Sequence, residues 1–301
     1  MDGILPIWKP AGMTSHDCVF KIRKMLRMKK VGHTGTLDPD VTGVLPICLG
    51  KATKISEYMM NTGKSYVGEV VVGFSTTTED ASGEIVEAKR VEEPITKEEV
   101  LEVFNQLTGE ITQTPPMYSA VKVKGKKLYE YARAGIEVER PSRRVQIKDI
   151  QLTSQISFSD GKAIFSFSVD CSKGTYIRTL AVMIGEKLGY PAHMSKLVRT
   201  SSGSFLQEDC FTFEELNELI EKGEIDKAVA PLERGISHLP NIEISDKVAE
   251  KVRNGAVLEK SSVPIVDLQS VLIHDGNALA IYQPHPSKPE FIKPVKVLRN
   301  E

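Results

Sequence analysis

The stretch Gly32-His33-Thr34-Gly35-Thr36-Leu37-Asp38-Pro39-Asp40-Val41-Thr42-Gly43-Val44-Leu45-Pro46 decides how the rest of the chain is read. Its glycines admit backbone conformations closed to other residues. Pro39 fixes its own φ and pushes Asp38 away from the α region. A carboxylate held extended between turn residues has little freedom of its own, and that suits an acid that must act on a substrate. Asp-Pro alone is an ordinary turn dipeptide, so Asp38 gains chemical meaning only from its surroundings.

Upstream, residues 4–10 read as a short strand entering a turn. Ser15 or Asp17 is positioned to cap a helix with Val19, Ile22, Met25 and Leu26 on one side. The other side carries Lys21, Arg23, Lys24 and Arg27, followed by Lys29 and Lys30, with no acid among them. Such a run is usually a solvated face. Leading straight into the glycine loop, it also suits the guidance of a polyanion.

Downstream, Gly63-Lys64-Ser65 invites a phosphate-loop reading, but a Walker A motif needs glycine where Tyr58 stands. Residues 65–74 alternate as a strand instead, with 84–89 expected as its hairpin partner across the polar turn 76–83. Thr96-x-x-Glu99 is a capping box for a helix carrying Val100, Val103, Phe104 and Leu107. Thr114-Pro115-Pro116 excludes helix from residues 114–120. A second basic cluster follows in Lys122, Lys124, Lys126, Lys127, Arg140, Arg143 and Arg144. Strands near 145–156 and 163–169 lead to Cys171-Ser172-Lys173-Gly174-Thr175-Tyr176-Ile177-Arg178-Thr179. There Thr175 is expected to cap a helix ending at Gly189. Thr212-x-x-Glu215 opens another helix. The pattern loosens at residues 231–240, where a domain boundary is expected. Beyond it stand a helix with Val248 and Val252, ending at Gly255, and short β runs such as residues 278–282.

With 301 residues, 41% of them hydrophobic and 26% charged, the chain has the composition of an ordinary globular protein. A net charge of −1 argues against coating nucleic acid by bulk positive potential, so any such site must come from local clustering. The four cysteines, Cys18, Cys48, Cys171 and Cys210, form no close pair and fit neither a zinc site nor a disulfide framework. The N-terminus lacks a basic region followed by an apolar run, and no apolar stretch approaches the ~20 residues of a membrane span. A cytoplasmic protein is expected.

Several blocks then fall in one order: Trp8-Lys9-Pro10-x-Gly12-x-Thr14-Ser15, the glycine loop, Lys64-x-Tyr66, Thr76-x-Thr78-x-Asp80-x-x-Gly83, Gln113-Thr114-Pro115-Pro116-x-Tyr118-Ser119-Ala120 and Lys173 to Thr179. Together they resemble the TruB-type bacterial tRNA pseudouridine synthases over roughly residues 1–205. The resemblance implies an α+β fold. Its residues 1–235 would form a catalytic domain, with a mixed, largely antiparallel sheet whose helices and loops flank a central cleft. Residues 240–301 would form a small, mostly β, PUA-like RNA-binding module. The implied activity is isomerisation of the T-loop uridine (uridine-55) of tRNA to pseudouridine. It would need no cofactor, metal, guide RNA or obligate protein partner, and the protein would act as a monomer on the T-arm stem-loop. By the same resemblance Asp38 is the nucleophile, and Arg178 is the cation that keeps it ionised. Tyr66 stacks on the target base and assists proton removal from carbon. Tyr176 and Leu197 line the base pocket. His33 enters the T loop and takes up stacking vacated by flipped bases. Lys9 and Lys64 belong to the substrate-binding set, and Lys9 with Pro10 also buttresses the loop. The basic clusters contact phosphates. The competing readings are a tRNA-binding, RNA-folding chaperone with secondary isomerase activity, a guide-RNA-dependent synthase, and a carboxylate hydrolase that would release free uracil.

Overall fold

Strand Lys162–Cys171 alternates buried and less buried residues along nearly its whole length, the period expected of a strand covered on one face. It is the spine of one of two compact units in the computed structural model, which describes residues 1–263 and 268–300. The first unit joins Met1–Thr62 to the chain from Ser202 onward, and the second is Gly63–Ser201.

In the second unit the strand order is Ala192–Ser202, Lys64–Val72, Lys162–Cys171, Arg143–Leu152, Gly109–Gln113. The central strand pairs antiparallel with Lys64–Val72, from Ala163 opposite Val72 to Cys171 opposite Lys64. It pairs antiparallel with Arg143–Leu152 on its other side. Helices Lys97–Leu107 and Ile177–Leu188 cover one face. Val100, Val103, Phe104, Leu180 and Ile184 pack there on Val70, Val72, Phe165, Phe167 and Val169. Residues 84–89 do pair as expected of a hairpin, but Ile85–Ala88 lies against Phe74–Thr76 rather than the long strand. The long strand has already spent both edges on other neighbours.

The first unit is built on Thr42–Leu49, which pairs antiparallel with Gly3–Lys9 and with Val31–His33. The strand is buried on both faces, as its unbroken apolar run implies. Leu45 and Ile47 face one core with Val19, Ile22 and Leu216. Val44 and Cys48 face another with Ile4, Leu232, Val271, Ala278 and Ile281. That second core ties the five-stranded sheet of the C-terminal part to the N-terminal strands. The sheet has the order Asn241–Glu243, Ser270–His274, Asn277–Pro284, Phe291–Val297, Leu258–Glu259. Helix Asp246–Arg253 packs on it through Ala249 and Val252. No helix among the described residues is long and apolar enough to cross a membrane.

The helix at Ser15–Leu26 is capped one residue earlier than expected. Thr14 is the N-cap, and Asp17 closes the box from the third helical position. A threonine outside the helix can accept the Asp17 N–H, which a residue already inside the first turn cannot do. Thr175 likewise does not cap the helix Ile177–Leu188: its hydroxyl donates to the Ser172 carbonyl at 2.9 Å, and Tyr176 occupies the cap position.

Candidate active site

The residues singled out in the sequence fall three in the first unit, Lys9, His33 and Asp38, and five in the second, Lys64, Tyr66, Tyr176, Arg178 and Leu197.

In the first unit Asp38 is half-buried between Leu37 and Val41, both packed inside at 4% exposure. The Val41 N–H donates to the Asp38 carbonyl at 3.1 Å and closes the turn through Pro39. Two braces hold this turn. Lys9 is fully buried, and its ammonium donates to the carbonyls of Pro10 at 2.7 Å, Met13 at 2.6 Å and Pro39 at 2.9 Å. The Ser15 hydroxyl accepts the Leu37 N–H at 2.8 Å. The helix start and the lysine therefore grip the residues on either side of Asp38. Of the loop glycines, Gly35 (φ +142°) and Gly43 (φ +120°) occupy backbone regions that other residues avoid, whereas Gly32 is ordinary strand. His33 ends its strand opposite Ile47, and its Nδ1 accepts the Gly35 N–H at 3.3 Å. It caps the turn, a role open to any histidine followed closely by glycine.

In the second unit Lys64 and Tyr66 lie two apart on one strand and so share a face of the sheet. Gly68 continues that face. A Cβ there would meet Phe167 Cζ at 3.0 Å and Leu197 Cδ1 at 3.5 Å, so the glycine allows the ring and the leucine to close over the strand. Tyr66 and Leu197 both pack on the unit's core. Lys64 is 8% exposed, and burial, reinforced by the nearby Arg199 charge, lowers its pKa to about 8. Tyr176 is held by Gln113 through two bonds, from Tyr176 N–H to Gln113 Oε1 at 2.9 Å and from Gln113 Nε2 to Tyr176 O at 3.2 Å. Its ring carries the Arg143 guanidinium 4.6 Å above it.

Arg178 is buried in the first turn of its helix, where a cation opposes the helix dipole. What holds it there is the polar turn. Its guanidinium donates to Thr78 O at 3.0 Å, to Tyr118 O at 2.9 Å and to Asp80 Oδ2 at 3.4 Å. Burial pushes the Asp80 carboxyl up. Hydrogen bonds from Ser82 and Thr78, with the Arg178 charge, outweigh it and hold the group below the usual range. Glu79, next to it, is more deeply buried. Its carboxyl rises despite the Thr179 hydroxyl at 2.7 Å and the nearby Arg178 and Arg140 charges. Sequence reasoning gave Asp80, Gln113 and Arg199 no role. Asp80 and Gln113 stood inside recognised blocks, while the buried Arg199 left no pattern at all.

The basic clusters are thinned by folding. Arg23 donates to Val31 O at 2.8 Å, and Lys21 sits 4.0 Å over the Phe213 ring, leaving Lys24, Arg27, Lys29 and Lys30 exposed. In the second cluster Lys122, Lys124 and Lys126 are exposed on a small hairpin, whereas Arg140 is bonded to Pro115 O at 2.9 Å.

Among known proteins, the profile of the TruB family pseudouridylate synthase N-terminal domain matches residues 23–177, and that of the tRNA pseudouridylate synthase B C-terminal domain matches residues 178–237. A protein of Bacillus subtilis (strain 168) named tRNA pseudouridine synthase B is 58% identical over 99% of this chain and 98% of its own length. One of Halalkalibacterium halodurans with the same name is 56% identical over 100% and 99%. Among solved structures, a chain of a Cbf5-Nop10-Gar1 complex superposes with a TM-score of 0.76 at 28% identity, over 99% of this chain and 85% of that one. A chain of an H/ACA RNP bound to a substrate RNA containing 2'-deoxyuridine gives 0.73 at 26%, over 98% and 84%. The chain belongs to the TruB family of pseudouridylate synthases. It is therefore an isomerase.

Proposed function

We propose that the chain converts the T-loop uridine at position 55 of tRNA into pseudouridine, with Asp38 as nucleophile and the base flipped out of the RNA. tRNA as substrate agrees with the names of relatives that match it end to end. The observation that carries the assignment of Asp38 is the double brace, from Lys9 to Pro39 and from Ser15 to Leu37, on either side of an otherwise turn-forming carboxylate. Fixing a reacting group before substrate arrives removes an entropic cost from the barrier.

The reaction balances within the nucleotide. The bond from the ribose carbon to the ring nitrogen breaks, and one from the same carbon to a ring carbon forms. The proton on that carbon leaves, and the freed nitrogen takes one up. Asp38 acts as the ionised carboxylate, with Arg178 as the cation that keeps it so. Tyr66 stacks on the base and its hydroxyl assists the proton transfer. Tyr176 and Leu197 line the pocket, His33 fills the stacking space that the flipped base vacates, and Lys64 lies on the substrate side. Lys9 is the brace of the loop. Residues 1–235 form the catalytic domain and 240–301 an RNA-binding module. The protein works alone in the cytoplasm, as a monomer without guide RNA.

The test is tritium release from tRNA labelled at the uridine ring carbon, using the isolated chain on a bare T-arm stem-loop. Wild type should release tritium and retain the base, whereas Asp38→Asn should release none above background. A wild-type rate in Asp38→Asn refutes its role, free uracil in solution indicates hydrolysis, and a requirement for added RNA indicates a guide. Tyr66→Phe keeps the stacking ring, so an unchanged rate would remove the hydroxyl from proton transfer.

A further inference from the structure

We infer that Arg143 is a positioning residue of the reaction: together with Gln113 it clamps Tyr176 and fixes the ring on which the target base rests. The inference depends on the reading of Tyr176 as part of the base pocket. All three residues belong to the second unit. Gln113 ends strand Gly109–Gln113, and Arg143 begins strand Arg143–Leu152 directly opposite it. Directly opposed residues of an antiparallel pair share one face of the sheet. From that face one side chain holds the Tyr176 backbone and the other covers its ring.

Tyr176 is the N-cap of helix Ile177–Leu188, and its own side chain forms no capping bond. The start of the helix is tied to the sheet instead, by the two bonds that the buried Gln113 side chain makes to the Tyr176 N–H and carbonyl. Arg143 fixes the ring. Its guanidinium carbon lies 4.6 Å from the ring centroid, within the range of a cation–π contact. The same group rests against the Lys173-Gly174 turn, where a Cβ on Gly174 would come within 3.2 Å of Arg143 Nη1. Glycine at that position leaves the space that the guanidinium fills. The Arg143 Nε is buried and has no hydrogen-bond partner. A donor left in that state costs stability, so a bond at this nitrogen is not what sets the side chain. The ring and the glycine turn set it. A guanidinium held by its flat face does different work from one that reaches a phosphate by its charge. Tyr176 stays half-buried with Arg143 over one face, and a base stacking on the open part of the ring meets a surface that cannot tilt away.

The experiment measures the single-turnover rate on a saturating T-arm stem-loop, its Kd, and the slope of log Kd against log salt. It compares wild type with Arg143→Met, Arg143→Lys, Tyr176→Leu and the double variant Arg143→Met/Tyr176→Leu. Arg143→Met should lower the rate roughly tenfold or more, because a misplaced reactant can cost about 10²-fold. Its Kd should move no more than about threefold. Arg143→Lys keeps the charge and loses the plane, so it should lose roughly two- to fivefold in rate with the salt slope unchanged. In the double variant the rate should equal that of Tyr176→Leu alone, because Arg143 acts through that ring. A wild-type rate in Arg143→Lys overturns the inference, and so do losses that multiply in the double variant. A raised Kd with a slope lower by about 1 and an unchanged saturated rate overturns it as well, leaving Arg143 a phosphate contact only. If Arg143→Met does not fold, the rate and slope of the lysine variant give the answer by the same criteria. A wild type that isomerises no uridine sinks the functional reading and this inference with it, whereas an active wild type with multiplying losses sinks the inference alone.

Discussion

The Arg178 guanidinium lies 3.4 Å from the Asp80 carboxylate, with the two side chains only 6% and 21% exposed. A cation in the first turn of a helix is locally unfavourable, and Asp80, together with the Thr78 and Tyr118 carbonyls, offsets that cost. The pair sets Arg178 in one orientation, which the role proposed for it beside Asp38 requires.

Arg178→Ala should therefore lower kcat by roughly 10²-fold or more, the size typical of a lost electrostatic donor. tRNA Kd should move no more than about threefold, because a single buried contact is a small part of an RNA interface. Asp80→Asn keeps the shape and removes the charge, so its effect should have the same sign and be smaller. Single-turnover rates and filter-binding affinities on the same preparations check both. The sign of the pH effect follows from the Asp80 carboxyl being held low. The pair stabilises the fold above the ordinary carboxylate pKa, and this is lost as the pH falls through the lowered value.

Lys9→Met should disable the enzyme by another route. The ammonium satisfies three carbonyls inside the first unit, and an apolar replacement leaves all three without that donor. The expected loss is about 2–4 kcal/mol of unfolding free energy. Turnover should fall with it as the Asp38 turn loosens. Urea denaturation with activity assayed below the transition separates the two losses. Full activity in a destabilised Lys9→Met would show that the brace serves stability alone.

The thiols give a reading of the packing. Burial pushes the Cys48 thiol up to about 12 and that of Cys171 to about 11, and raises Cys18 as well. Thiolates are the reactive species. Native protein at pH 8 should thus react first at half-buried Cys210, with the other thiols following only on unfolding. Mass mapping after brief alkylation checks the order.

Much of this architecture was legible because its signals are local. The capping boxes at Thr96 and Thr212 stand where the sequence set them, and the alternation in Lys162–Cys171 needed only a period of two. The helix that runs to Gly189 ends there in the left-handed conformation glycine allows. What escaped was decided by tertiary partners. Whether Thr14 or Ser15 caps a helix depends on a single residue, and Ser15 proved to be needed instead by Leu37. Residues 85–88 found the short strand Phe74–Thr76 because the longer one was already paired on both sides. In the site, Asp38 and Arg178 were named through motif likeness. The group that orients Arg178, Asp80, had a place in a motif but no chemistry attached to it.

Lys64 supplies the prediction with the clearest pH signature. The free side chain titrates near 10.5, and in the fold burial, with the Arg199 charge beside it, brings it to about 8. Below pH 8 the protein holds a desolvated ammonium that the unfolded chain would hold in water, and the folded state bears that penalty. Between 8 and 10.5 the unfolded chain binds more protons than the folded one, so this contribution rises with pH. Relative to Lys64→Met, wild type should gain about 3 kcal/mol of unfolding free energy between pH 7 and pH 10.5. RNA binding should run the other way. A phosphate close to Lys64 favours the ammonium, so wild-type tRNA affinity should fall as the pH rises past 8, and Lys64→Met should bind more weakly but without that decline. Parallel pH profiles of Kd for the two proteins would mean that Lys64 does not meet the RNA.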